Sequence, residues 1–179
     1  FRVHASPPDL KVEALAQFLR EVGLRVPWKL TPTPADFEKV VLQAQGRPDE
    51  KLIMAVLLRS QSLAVYKAEN EGHFGLALEA YAHFTSPIRR YPDLLLHRAI
   101  HHHIARGQRR AYRYTRAEMD KLSELCSRRA RRAEEAERDV VDRLKCIYME
   151  RHVGDEFDGM VSGVTSFGLF VELDHGNVN

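Results

Sequence analysis

Cysteine is nearly absent: Cys126 and Cys146 are the only two among 179 residues. If both lie on one helix, their separation in sequence puts them roughly 30 Å apart, beyond disulfide reach. They read as reduced thiols, which points to a cytoplasmic chain, and they are too few for a cysteine-rich zinc site. Long apolar runs are missing as well. The aliphatic stretch that includes Ile53–Leu58 is far too short to span a bilayer, so no membrane partner is expected. No secretory leader opens the chain; it begins "FRVHASPPDL", which reads as the middle of a longer protein, and a fragment is expected. Repeats and low-complexity segments are absent. What remains is a chain 44% hydrophobic with mean hydropathy −0.38, long enough for one core or for one domain plus part of another.

Net charge is only +2, but the charge is unevenly placed. Residues 106–116, "RGQRRAYRYTR", carry Arg106, Arg109, Arg110, Arg113 and Arg116 with no acid, interleaved with Tyr112 and Tyr114. A second basic run, Arg128, Arg129, Arg131 and Arg132, precedes Glu134, Glu135 and Glu137. Such patches suit a polyanion; a solvated loop and a salt-bridged helix face explain them equally simply.

Helical periodicity dominates the first six-sevenths of the chain. Ser6-Pro7-Pro8-Asp9 starts one helix with an apolar stripe of Leu15, Phe18, Leu19 and Val22, stopped by Gly23. Thr33-Pro34-Ala35-Asp36 starts a second that ends near Gly46. Pro48-Asp49 opens a third, apolar through Leu52, Ala55, Val56, Leu63 and Tyr66. Pro92 begins a fourth that runs to Gly107. Thr115-Arg116-Ala117-Glu118 has the form of a capping box. Beyond it Met119, Leu122, Cys126, Ala130, Ala133, Ala136, Val140, Leu144 and Ile147 define one long helix to about His152. The pattern then changes to period two around glycines 154, 159, 163, 168 and 176. Leu169, Val171 and Leu173 alternate with Gly168, Phe170 and Glu172, which predicts a hairpin. The fold class is therefore mainly α with a short C-terminal antiparallel β segment.

Between the third and fourth helices stands "HFTSPIRRYPDL", residues 83–94. Ser86-Pro87 looks like a helix start, with serine as N-cap and proline at the first helical position. Arg89 and Arg90 would then lie in the first turn, at the positive end of the backbone dipole, where each exposed cation costs about 0.3–1 kcal/mol. A phosphate reverses that sign: free amides and two guanidiniums would cradle it.

Two stretches carry a resemblance. "GHFGLALEAYAHFTSPIRRYPDLLLHRAI", Gly72 to Ile100, resembles the signature of the RNase II/RNB exoribonucleases. "GDEFDGMVSGVTSFGLFVEL", Gly154 to Leu173, resembles the opening of an S1 RNA-binding domain, which follows the RNB domain in that family. The flanks "FRVH", "GRPDEKLIMAVLLRSQSLAVY" and "ERDVVDRLKC" agree, so the likeness covers nearly the whole chain in order. It implies the C-terminal helical half of an RNB catalytic domain over residues 1–152. Residues 153–179 would be the first strands of an incomplete OB-fold S1 domain.

The resemblance further implies a processive, Mg2+-dependent 3′→5′ exoribonuclease that releases nucleoside 5′-monophosphates from RNA with a single-stranded 3′ end. The family holds its metals on clustered aspartates upstream of the signature. No such cluster occurs here, so this stretch is expected to lack metal ligands and to be inactive alone. Asp139 and Asp142 by themselves do not make a two-metal site. By the same resemblance Arg89 belongs at the scissile phosphate as the catalytic arginine. Arg90 is a neighbouring phosphate clamp or a structural ion pair; both arginines could instead pair with the Glu134–Glu137 segment. Thr85 and Ser86 are candidates for hydroxyl contacts to the same phosphate, with Ser86 alternatively a simple cap. Glu137 resembles a channel glutamate, in competition with Glu134 and Glu135. Phe170, on the solvent side of an OB strand, and Phe167 at the turn are candidate base-stacking platforms, or are covered by another domain. His73, Tyr81 and His83 line the channel or pack.

His97, His101, His102 and His103 suggest a metal only superficially. His97 and His101 have i, i+4 spacing but no acid beside them, and no His-Asp dipeptide exists for an HD-type phosphohydrolase. The rival to the enzyme reading is a non-catalytic helical RNA-binding or scaffold module of RNB shape.

Overall fold

The computed structural model describes residues 1–106 and 111–173 and is mainly helical with a C-terminal two-stranded antiparallel sheet. It forms two compact units, Phe1–Arg129 and Ala130–Asn179.

In the first unit, strand β1 (Arg2–Val3) pairs antiparallel with β2 (Val65–Tyr66), Arg2 opposite Tyr66. Helix α1 (Asp9–Glu21) follows Pro8 and ends as the glycine predicts. Gly23 sits at φ +75°, and the Leu24 amide reaches back to the Leu19 carbonyl at 2.8 Å, a left-handed C-terminal cap that proline or a branched residue would strain. Helix α2 (Pro34–Ala44) opens on a reciprocal box in which the Thr33 amide and hydroxyl both donate to Asp36 Oδ2, at 3.0 and 2.7 Å. The Thr33 amide and then the Lys39 ammonium hold the Asp36 carboxyl down at about 2.

Helix α3 (Glu50–Ser60) packs against α1 and α2. Their facing stripes make the core: Leu15, Leu19, Leu24, Phe37, Val40, Ala44, Ile53 and Leu57, all buried. The third helix is shorter than its apolar pattern suggests. Ser60 turns its hydroxyl onto the Leu57 carbonyl at 2.6 Å, Leu63 is exposed, and Tyr66 lies in β2 instead of on a helix. Strand pairing with residues some sixty positions earlier overrides the local periodicity there. His4 locks the same junction. Its Nε2 meets the Ser62 carbonyl at 2.7 Å and its Nδ1 accepts from the Gly75 amide at 2.9 Å. A Cβ on Gly75 would stand 2.7 Å from that imidazole, so only glycine fits.

Helix α4 (Tyr91–Arg106) follows the signature, and α5 (Arg116–Met149) starts on the expected capping box, with the Thr115 amide and hydroxyl on Glu118 Oε2 at 2.7 and 2.8 Å. A 3-10 turn, Glu150–His152, extends α5 to the residue where its periodicity stops. Both thiols are free. Among the described residues no helix is long and apolar enough to cross a membrane.

The second unit holds the rest of α5 and the hairpin of β3 (Gly159–Thr165) and β4 (Gly168–Leu173). Its turn closes with Thr165 opposite Gly168, and an irregularity follows between Val161 and Gly163. No described residue of α5 is buried, and the stripe residues Val140, Leu144 and Ile147 are 58, 59 and 51% exposed.

Candidate active-site turn

The extended segment leading into the Ser86 turn is tied down by aromatic contacts. His97, on α4, lies flat on Phe84 with ring centroids 4.2 Å apart, and its Nε2 meets the Phe84 carbonyl at 2.8 Å. The histidine that suggested a metal is thus a clamp that fixes the chain just before Thr85. Among the described residues no group of three or more His, Cys, Asp or Glu is arranged to hold a metal.

Upstream, His4, His73, Tyr81, His83 and Tyr66 form an edge-to-face ladder with centroids 5.1, 5.2, 5.7 and 5.7 Å apart in succession. Tyr66 and His83 also share a hydrogen bond of 3.0 Å, and the Arg2 guanidinium stands 4.8 Å above the Tyr66 ring. Burial, then the nearby Arg90 and Arg2 charges, push the His83 imidazole below its usual range. Burial and then His4 do the same to His73, and burial pushes the Tyr66 phenol up. All three are therefore neutral at pH 7.

The turn itself differs from the helix start that Ser86-Pro87 predicts. The Ser86 carbonyl accepts from the amides of Arg89 at 3.3 Å and Arg90 at 2.9 Å, which closes a separate turn. Helix α4 then begins at Tyr91, with the Arg90 carbonyl accepting from Asp93 and Leu94. The two arginines therefore precede the first turn of α4, and the residue placed inside that turn is an acid, Asp93, which the helix dipole favours.

Asp93 organises the site. It is fully buried, and its Oδ2 accepts the Ser86 amide at 2.9 Å and the Arg90 Nε and Nη2 at 3.2 and 2.9 Å. Its Oδ1 is buried without a hydrogen-bond partner. The Ser86 amide is thus spoken for, as are those of Arg89 and Arg90, so the cradle of free backbone amides expected from the sequence does not form. Arg90 pairs within its own turn, which is the structural ion pair left open by the sequence, and its partner is Asp93 instead of the Glu134–Glu137 segment. Arg89 is exposed and has no ion-pair partner among the described residues.

Beside Arg89, Thr85 is exposed and Ser86 half-buried, and among the described residues neither hydroxyl is engaged. In the second unit Glu134, Glu135 and Glu137 are all exposed, so exposure does not choose among them. Phe167 and Phe170 meet edge to face at 6.0 Å and are 82 and 47% exposed. Leu169, at 62%, is as open as they are, so the hairpin has no covered face of its own. Arg109 and Arg110 of the basic run lie outside the described residues. Sequence reasoning missed Asp93 and the clamp role of His97. The spacing Arg90-x-x-Asp93 across a helix start was a readable signal for the first; nothing local announced the second.

Residues 1–106 match the family model described as RNB domain. The chain is 50% identical to ribonuclease R of Vibrio parahaemolyticus and 46% identical to ribonuclease R of Escherichia coli, each time over 97% of the chain. It spans 22% of the length of either relative. Among solved structures it is similar to Mycoplasma genitalium RNase R, both as the apo form and in complex with ribose-methylated single-stranded RNA. Both align with a TM-score of 0.88 at 27% identity over 99% of this chain and 28% of that one. Yeast Ssd1, described as a pseudonuclease, aligns over 70% of the chain and 15% of its own length, with a TM-score of 0.58 at 25% identity. A family model that accounts for the signature turn, the segment before it and the three-helix core leaves one conclusion: this chain belongs to the RNB domain family.

Proposed function

We propose that the chain is the C-terminal part of an RNB catalytic domain, residues 1–152, joined to the first strands of an S1 domain, residues 153–179. The parent protein is then a processive 3′→5′ exoribonuclease that hydrolyses RNA to nucleoside 5′-monophosphates. The observation that carries this reading is the division of labour in the signature turn. Asp93 immobilises Arg90 and the Ser86 amide, while Arg89 is exposed and has no ion-pair partner among the described residues.

A guanidinium so presented can place two N–H groups on a phosphate and meet the charge that grows on its oxygens as the phosphodiester is attacked. The Thr85 and Ser86 hydroxyls lie beside it in sequence and donate to the same group. Arg90 acts as a strut and adds positive potential. Glu137 faces the RNA channel, and Phe167 and Phe170 offer ring faces to unpaired bases. The described residues do not fit a Mg2+ site: Asp93 is committed to Arg90, and Asp139 and Asp142 stand exposed on α5 without a third carboxylate. The ion that the reaction requires belongs to aspartates elsewhere in the parent, in a cytoplasmic enzyme.

The likeness to a yeast pseudonuclease favours a second reading, a non-catalytic RNA-binding module of the same shape. One assay separates the two: full-length parent, magnesium and a 3′-tailed RNA. Stepwise release of 5′-monophosphates is the expected result; tight binding without release establishes the module instead.

A further inference from the structure

Immediately beyond Arg90 the chain builds a second cationic site from a part of the sequence that the hydrolytic reading leaves unused. Tyr91 is the joint. The Arg98 guanidinium lies over its ring at 5.9 Å, and the Tyr91 and Tyr114 hydroxyls meet at 3.5 Å. From there an open cavity of about 510 Å3 is lined by His97, Arg98, His101, His102, Tyr112, Arg113 and Tyr114, with no carboxylate on its wall among the described residues. Arg113 stands over the Tyr114 ring at 5.3 Å; Tyr112 touches His102 at 5.3 Å and Tyr114 at 5.8 Å. Neither Arg98 nor Arg113 has an ion-pair partner among the described residues.

Two guanidiniums on one hollow without a counter-charge among the described residues repel each other, and the tyrosine faces offset only part of that. An anion completes the arrangement. The Tyr114 phenol reports the local field: the Tyr91 hydroxyl first, then the Arg113 and Arg98 charges, draw it below its usual range. The space is of nucleotide size, and arginines alternating with ring faces are how proteins hold a flexible polynucleotide without reading its sequence. We infer that this cavity is an RNA subsite, separate from the hydrolytic turn, that grips backbone phosphates with Arg98 and Arg113 and offers the Tyr112 and Tyr114 rings to an adjoining base. The inference rests on the RNA-degrading reading of the parent. It assigns to Arg98 and the Tyr112–Tyr114 segment a role in holding long RNA rather than in cutting it.

The test uses full-length parent and 2′-O-methyl oligoadenylates, one of about twenty nucleotides and one of three. The pair Arg98→Ala with Arg113→Ala weakens binding of the long oligomer about tenfold, because two charge-assisted contacts are lost. Binding of the trinucleotide, which reaches only the hydrolytic turn, changes less than twofold. The salt dependence of long-oligomer binding becomes shallower by roughly 1.4 in log–log slope, about 0.7 per lost phosphate contact on a single strand. Both side chains are exposed, so melting temperature stays level. The pair Arg98→Lys with Arg113→Lys retains affinity within about threefold, since a phosphate contact needs charge more than shape. Unchanged long-oligomer affinity in the alanine pair overturns the subsite and leaves the nuclease reading intact. Equal losses for the alanine and lysine pairs, or for long and short oligomers, overturn it as well. A wild-type parent that binds neither oligomer sinks the underlying reading and the subsite with it.

Discussion

The two compact units of this chain are written in the same apolar periodicity and end in opposite states. In Phe1–Arg129 the stripes of α1, α2 and α3 close on one another, and Leu19, Val40, Ala44 and Ile53 are completely buried. In Ala130–Asn179 the stripe on α5 and both faces of the hairpin stay open, with Leu144 at 59% and Leu169 at 62% exposure. A hydrophobic pattern states which face an element has to cover; it does not state what covers it. That information lies in the partners, and the first unit contains its own.

The contrast breaks if a matched pair of truncations behaves alike. In the 179-residue chain, Leu19→Ala costs about 2–5 kcal/mol through lost burial and a residual cavity, whereas Leu144→Ala costs within about 0.5 kcal/mol. Chemical denaturation of both variants decides it. Similar losses would mean that α5 is packed in solution.

The signature turn sharpens the contrast inside the first unit, because Arg90 is held by Asp93 and Arg89 has no ion-pair partner among the described residues. Arg89→Lys in the full parent lowers the single-turnover rate by about 10²–10³, roughly 2.7–4 kcal/mol, since lysine loses the planar two-point grip. RNA affinity changes far less, because other phosphate contacts persist. Arg90→Lys is milder in rate. A loss in affinity alone would demote Arg89 to a clamp.

Asp93→Ala strips a buried partner from Arg90 and from the Ser86 amide together. Destabilisation of about 3 kcal/mol is expected by thermal melting, with Asp93→Asn intermediate because it keeps one acceptor. A variant that melts like wild type would show that the turn stands without its buried acid.

In the second unit, Phe170→Ala in the parent weakens RNA binding by about 1–3 kcal/mol and spares the bound-state rate. A collapse in melting temperature with unchanged binding would show that Phe170 is packed in the parent. The smallest effect is titration of the aromatic ladder. His73 and His83 have imidazoles held below their unfolded range, so the unfolded chain binds protons that the folded one refuses. Stability is therefore level above about pH 6.5 and declines as pH falls below it. His83→Gln flattens that decline; an unchanged slope would remove His83 from the account.

Elements with strong local chemistry were legible in the sequence: the helix start at Thr33, the Thr115 box, the Gly23 stop, the long α5 and the hairpin at Gly168. The motif around Arg89 singled that residue out, and the structure places it exposed on the turn. What could not be read depended on distant partners. The end of α3 is set by strand pairing with the first residues of the chain, and His97 is explained only by Phe84 thirteen positions earlier. The backbone cradle at Ser86 was expected from a local rule and displaced by a buried acid three residues beyond Arg90.

Helix α5 carries a practical consequence for anyone dissecting this protein. The division between the units falls at Arg129–Ala130, in the interior of a helix that runs from Arg116 to Met149, about 50 Å of continuous hydrogen-bonded backbone. Proteases cut where several residues can be drawn out into an extended strand, and no such stretch exists at that point. Limited digestion will therefore not release the units along their compact boundary, and gene truncations placed there will leave two frayed half-helices in place of two clean domains.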